Sequence, residues 1–219
     1  MESAPRITLH TYWRSSSAYR VRIALGAKGL AWTPVFVNLL ENEQKKESHL
    51  AKNAMGYVPV MTLDGVDYVE SVAIIELLED LFPTPKLYPG TAQDRAHIRA
   101  MVETINAGTQ PLQNTNTLGQ LGDDKEKRIA WLRYFIGRGV HAFEALVARH
   151  EAATGSKGPF AYGDMLTAAD VFLVPQVFAA RRFNVDIASC TRVLRAAEAA
   201  QALPYVAAAA PEAQADARP

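Results

Sequence analysis

Residues 6–29 read RITLHTYWRSSSAYRVRIALGAKG. The first seven residues are short, apolar on alternate positions and β-prone, which predicts a strand. Ala18, Val21, Ala24 and Leu25 then recur at helical spacing, and Gly29 is a natural C-terminal stop. The run AWTPVFVNL follows as a second strand, placed at an edge or a strand start by Pro34. Two strands joined through one helix pair in parallel as a right-handed βαβ unit. The polar run ENEQKKESHLAKNA predicts a short, loosely held helix. VPVMTLDGVDYV is a hairpin, because Asp64-Gly65 suits a tight type I′ turn between two strand-like runs. ESVAIIELLEDLF is an amphipathic helix: Ser71 is placed to cap it, Val72, Ile75 and Leu78 share one side, and Ile74 and Leu81 lie adjacent. The resulting order is βαβαββα.

FPTPKLYPGT, with three prolines and a glycine, then reads as a linker. We expect an α/β domain over residues 1–83, the linker over 84–93, an all-α domain over 94–209 and a disordered tail over 210–219. Helices are expected over residues 94–108, 123–153, 167–182 and 192–201, with no strands and no internal repeat. Thr167 and Asp170 have capping-box spacing, and Leu166 and Val171 suit a hydrophobic staple. Pro175 falls inside that helix and should kink it unless packing compensates.

The chain has 219 residues, 49% of them hydrophobic, which suffices for a real core. Lys plus Arg total 23 and Asp plus Glu total 23, so the net charge is zero and general nucleic-acid binding, which needs surplus cations, is not expected. The charge is uneven: Arg6, Arg14, Arg20, Arg22 and Lys28 crowd the first 28 residues and could steer a small anion. The single cysteine, Cys190, leaves no disulfide framework or CxxC pair. Without a signal-like or membrane-spanning run, the expectation is a cytoplasmic protein with small thiols at hand. The five histidines are scattered, so no metal site is expected.

Ser15, Ser16 and Ser17 at a helix start admit two readings. Serines cap helices. A helix N-terminus also offers unpaired N–H groups and a partial positive charge to an anion, a thiolate included. A free thiol titrates near ~8.5, and lowering that by about two units takes only ~2.7 kcal/mol of differential stabilisation. On this run alone the capping reading stands ahead. Glu70-Ser71 repeats the pattern at another helix start, where a carboxylate and an ammonium could both be held.

RSSSAYRVRIAL, ESVAIIELLE, TQPLQN and GDMLTAADVFLVPQV, in that order and spacing, resemble the zeta class of the glutathione transferases, which includes maleylacetoacetate isomerases. The resemblance runs from about Ile7 to Asp186. It implies a thioredoxin-like first domain, a helical second domain and glutathione as cofactor. It makes Ser15, with Ser16 and Ser17, the catalytic group at the glutathione sulfur. It adds Arg20, Gln44, Val58 and Pro59 in a cis-proline loop, Glu70 and Ser71, Gln110 and Asn114 as glutathione contacts. Arg14, Arg20 and Arg182 are the candidates for gripping substrate carboxylates. Arg20 could equally serve a structural ion pair, and Arg182 a surface charge. Three positions depart from the family pattern: Ser17 where many members carry cysteine, Asn53-Ala54 for Asn-Pro, and Glu70-Ser71 for Gln-Ser.

The implied chemistry is nucleophilic catalysis with a borrowed thiolate. Its addition makes a cis double bond single, and rotation and expulsion give the trans isomer. The substrate is then a small dicarboxylic cis-enone, maleylacetoacetate first and maleylpyruvate next, and the assembly a homodimer. Two other readings stay open: glutathione transfer to, or dehalogenation of, small haloacids, and a non-catalytic glutathione-fold module that binds proteins. Intact Ser15 and Glu70-Ser71 speak against the module.

Overall fold

A computed structural model describes residues 4–218. They form two compact units, divided at Pro85 and Lys86 inside the expected linker, with the second unit ending at Leu203 and the chain from Pro204 rejoining the first.

In the first unit β1 (Ile7–Thr11) leads through α1 (Ser16–Ala27) to β2 (Thr33–Phe36). Two single 3-10 turns, Leu39–Glu41 and Glu43–Lys45, and the one-turn α2 (Glu47–Leu50) stand where one loose helix was expected. β3 (Val60–Leu63), β4 (Val66–Val69) and α3 (Ser71–Leu81) complete the unit's N-terminal part. The sheet order is β2-β1-β3-β4, with β1–β2 parallel and the other pairs antiparallel. β2 is the exposed edge strand that Pro34 requires. Asp64 and Gly65 both have positive φ, 49° and 90°, as the primed hairpin turn demands.

α1 is buried from Ala18 to Leu25, arginines included. It packs on α3 and, on another side, on a helix from the far end of the chain, so it has little solvent face left. Leu9, Val21, Ile23, Leu25, Val60, Met61, Ile74 and Leu78 are fully buried around it. Each such side chain contributes about 1.5–3 kcal/mol relative to exposure. The cation cluster expected to project a field is therefore largely internal: Arg20, Arg22 and Lys28 are all buried. The Lys28 ammonium donates to Glu79 and to the Pro85 carbonyl, each at 2.6 Å.

The second unit contains α4 (Ala92–Asn106), α5 (Thr115–Gly119), α6 (Lys125–Thr154), α7 (Ala168–Arg182) and α8 (Thr191–Gln201). A 3-10 turn, Gln110–Gln113, precedes α5. α7 is its centre, packed by α4, α6 and α8 and buried continuously from Ala168 to Val177. This burial explains why Pro175 does not end the helix. The Thr167–Asp170 capping box forms, and Asp170 also accepts from the Ala161 N–H at 2.8 Å. Complete burial pushes the Asp170 carboxyl up to about 6 despite these donors. Helix α6 comes close to the 3-10 turn only because residue 139 is glycine: a Cβ there would overlap the buried Thr109 side chain.

From Pro204 the chain returns to the first unit as α9 (Pro204–Ala209), which packs on α1, and a 3-10 turn, Pro211–Ala213. Where a disordered tail was expected from residue 210, Pro211 is buried and the Asp216 carboxylate accepts the Trp13 N–H at 3.0 Å. The alanine-rich composition hid partners 203 residues away in sequence.

Candidate active site

Ser15 is the N-cap of α1. Its backbone is extended, and its hydroxyl oxygen accepts the Ala18 N–H at 3.2 Å. Accepting leaves the hydroxyl proton free to donate outward. The N–H groups of Ser16 and Ser17, in the first turn, have no intrahelical acceptor. One donor hydroxyl and a fringe of amides thus share the positive end of a helix, an arrangement that stabilises an anion. Capping and anion binding are compatible in Ser15, because they use different parts of the hydroxyl.

The turn that delivers Ser15 is Tyr12–Arg14. The Ser15 N–H donates to the Tyr12 carbonyl at 2.9 Å. Tyr12, Val37 and Val58 form a small buried cluster against which Trp13 and Leu39 pack. That cluster sets the serine turn beside the proline loop. Arg14 lies over the Trp13 ring at 4.6 Å and donates to the Tyr12 hydroxyl at 3.3 Å. With Tyr12, Trp13, Phe36 and Asn38 it lines a cavity of about 440 Å³, a volume suited to a small-molecule ligand.

The Val58–Pro59 bond is cis. Sheet pairing begins only at Val60, so the Val58 backbone stands outside the ladder, at the sheet's end. Gly56, with φ 63°, holds the preceding loop close: a Cβ there would sit 3.0 Å from the Gln44 carbonyl. The Gln44 side-chain oxygen is buried with no donor among the described residues, an acceptor with which a ligand N–H could pair.

At the start of α3 the cap differs from expectation. Glu70, not Ser71, is the N-cap, and its side chain makes no capping bond. β4 ends at Val69, so the chain must reverse at residue 70, leaving Ser71 as the first helical residue. Glu70 has φ 68°, a left-handed value that costs a non-glycine residue on the order of 1 kcal/mol or more and recurs where a side chain must be aimed at a ligand. Ser71 is buried, and its hydroxyl accepts from Arg20 Nη1 at 3.2 Å. Arg20, just beyond the first turn of α1, thereby ties that helix to the start of α3. It is 1% exposed, so the direct substrate contact considered for it gives way to this internal bond.

Three site candidates belong to the second unit. Gln110 opens the 3-10 turn. The Asn114 side-chain oxygen accepts the Asn116 N–H at 3.0 Å and caps α5, leaving its amide donors. Arg182 ends α7 with its guanidinium 5.0 Å from the Phe183 ring. Cys190 is buried with its sulfur 3.2 Å from His141 Nδ1, and burial raises its thiol above the usual range, the opposite of a reactive cysteine. Among the described residues, no group of three or more His, Cys, Asp and Glu side chains could hold a metal ion, and no helix is long and apolar enough to cross a membrane. Trp13 and Asp216 at the serine turn, and the bonds of Arg22 to it, carry no local signal in the sequence.

A thioredoxin-like sheet with a cis-proline loop and a serine-capped first helix, followed in the chain by an all-helical unit, is the architecture of the glutathione transferase fold. The family described as glutathione S-transferase, N-terminal domain, matches residues 9–86. A maleylacetoacetate isomerase of Rhizobium meliloti is 40% identical over 191 residues, 85% of this chain and 87% of its own. A crystal structure of the maleylacetoacetate isomerase of Anaeromyxobacter dehalogenans with glutathione bound in its active site is 41% identical with a TM-score of 0.87, covering 99% of this chain and 100% of that one. A holo structure of a bacterial zeta-class maleylpyruvate isomerase is 34% identical with a TM-score of 0.91, covering 96% of this chain and 100% of that one. This chain belongs to the zeta-class glutathione transferases, the maleylacetoacetate isomerase family.

Proposed function

We propose that this chain is a glutathione-dependent cis–trans isomerase converting maleylacetoacetate to fumarylacetoacetate. The observation that carries the reading is Ser15, a hydroxyl with a spare proton at the mouth of α1, directly following in the chain Arg14, which lines a cavity that does not include Ser15 itself. The family relationship supplies the reaction class.

The residues present fit glutathione. The unpaired Gln44 oxygen, the unladdered Val58 backbone and the α3 start at Glu70-Ser71 provide donors and acceptors for a tripeptide with an amino-acid end. When bound, glutathione supplies a sulfur nucleophile that makes the substrate's cis double bond transiently single. Ser15 donates its hydroxyl proton to the sulfur anion, while the first-turn amides of Ser16 and Ser17 and the helix dipole lower its energy further. Glu70 attracts the ammonium of the γ-glutamyl end, and Ser71 with the α3 amides receives its carboxylate. Arg14, stacked and half-buried, is oriented to grip a substrate carboxylate. Gln110 and Asn114 are proposed as further glutathione contacts and Arg182 as a second carboxylate partner, on the resemblance described above.

Maleylpyruvate is the second substrate of this reading, favoured by the likeness to a maleylpyruvate isomerase. The reading also carries a homodimer in the cytoplasm. An absorbance assay on both substrates, with and without glutathione, tests it. We expect turnover only with glutathione and without its consumption. Turnover that ignores glutathione would end the isomerase reading, and stoichiometric consumption would make the protein a transferase.

A further inference from the structure

The backbone of Tyr12 and Trp13 is held by two residues that no feature of the serine run explains. Arg22 lies two turns into α1, 1% exposed, with every guanidinium nitrogen engaged. Nη2 donates to the Trp13 carbonyl at 3.0 Å. Nη1 donates to Thr11 Oγ1 at 3.0 Å and reaches the Tyr12 carbonyl at 3.5 Å. Nε donates to the Ala209 carbonyl at 3.0 Å, at the end of α9. One buried cation therefore fastens both the serine turn and the returning C-terminal segment. Burial lowers the guanidinium to about 10, so it stays charged at neutral pH, and the Tyr19 and Asp216 side chains counter the loss.

From the other side, Asp216 Oδ2 accepts the Trp13 N–H at 3.0 Å. The Trp13 peptide is thus held at its N–H by the C-terminal segment and at its carbonyl by Arg22. The next residues are Arg14 and Ser15, whose N–H returns to Tyr12. Asp216 also lines the cavity together with Trp13 and Arg14. Its second carboxylate oxygen is buried without a donor among the described residues, so the protein satisfies this acid chiefly through the one oxygen that holds the Trp13 N–H. The unpaired oxygen costs stability, while the charged oxygen that is paired makes a strong bond to the Trp13 N–H.

We propose that Asp216 and Arg22 are positioning residues for the catalytic turn: the C-terminal segment returns to hold Trp13 so that the Ser15 hydroxyl and the first-turn amides of α1 point at the sulfur. The inference rests on the isomerase reading and adds a part of the chain outside the glutathione-binding region to it. The C-terminal segment becomes part of the active site's frame, and its removal acts on chemistry rather than on folding alone.

The test uses the full-length protein, Asp216→Ala, Asp216→Asn and a chain ended after Gln214. Three quantities are read: amide hydrogen exchange over residues 12–18 without ligand, the pH midpoint of the bound glutathione thiol by ultraviolet absorbance, and kcat and KM separately. Asp216→Ala and the truncation should speed exchange in the turn, raise the thiol midpoint, and lower kcat about tenfold at neutral pH, the scale of one charge-assisted hydrogen bond, with KM for substrate little changed. Asp216→Asn keeps an acceptor for the Trp13 N–H and should recover most of the loss. Unchanged exchange overturns the bracket itself. Faster exchange with an unmoved thiol midpoint leaves Asp216 a structural residue and overturns the positioning role. Failure of the unaltered protein to bind glutathione would instead sink the isomerase reading and, with it, this one.

Discussion

Replacing Ser15 separates helix capping from chemistry. Ser15→Ala removes the Oγ that accepts the Ala18 N–H, which costs about 1 kcal/mol of stability. It also removes the hydroxyl proton. A hydrogen bond to a charged group is worth about 1.5–3 kcal/mol, or roughly one to two pKa units. If the bound thiol is lowered from ~8.5 to ~6.5 in the native protein, the variant leaves it between about 7.5 and 8.5. The ionised fraction at pH ~7 then falls roughly 3- to 25-fold, and kcat/KM with it. The loss has a pH signature: it should shrink as the pH rises past the new midpoint, because the thiol then ionises unaided. Ser15→Asp is the companion variant. Aspartate caps as well as serine and suits the helix dipole, so thermal stability should match the native protein. Its carboxylate would repel a sulfur anion, so activity should fall below that of Ser15→Ala. The assay is kcat/KM across pH beside a thermal melt of each variant. An activity loss independent of pH, or an aspartate variant restored in both stability and rate, would return Ser15 to capping alone.

Two further expectations concern the second unit. Gly139→Ala should destabilise it by about 1–3 kcal/mol, because the new Cβ meets the buried Thr109 side chain, whose hydroxyl donates to the Thr104 carbonyl. Gly137→Ala, on the same helix with its nearest neighbour 3.4 Å away at Val185, should be neutral or stabilising through helix propensity; equal melts for the two variants would contradict this packing. Asp94 accepts from the Thr91 hydroxyl and N–H and from the Tyr162 hydroxyl, which hold its carboxyl down at about 2. A depressed pKa gives stability that is complete above the ordinary aspartate range and lost as the pH falls through about 2. Unfolding followed from pH ~4 to ~2 should therefore be steeper for the native protein than for Asp94→Asn, and parallel acid limbs would discount the hydrogen bonds.

What could be read from the sequence is local. The strand–helix–strand opening, the Asp64-Gly65 turn and the Thr167–Asp170 box each depend on residues a few positions apart, and the structure contains them. Ser15 and Glu70-Ser71 were also legible as helix starts, but which residue of the second pair caps was not. That depends on where β4 releases the chain, and the answer puts Glu70 at a positive φ that no propensity favours. Arg20 and Arg22 read as part of a cation cluster open to a small anion, with Arg20 also a candidate ligand contact or structural ion pair. They are buried because α1 is enclosed by α3 on one side and α9 on another, and each guanidinium finds its acceptors across the fold. The C-terminal segment was the least legible. Its alanines suit disorder when taken alone, and only α1 and the Trp13 turn give them something to pack on and bond to.

In the proposed site the first helix holds a sulfur anion at its N-terminal end. The most direct measurement is a crystal structure of the protein with glutathione. The sulfur should lie within hydrogen-bonding reach of Ser15 Oγ, with the γ-glutamyl end at Glu70-Ser71. A tripeptide bound with its sulfur turned away from α1, or with its two ends exchanged, would contradict the account.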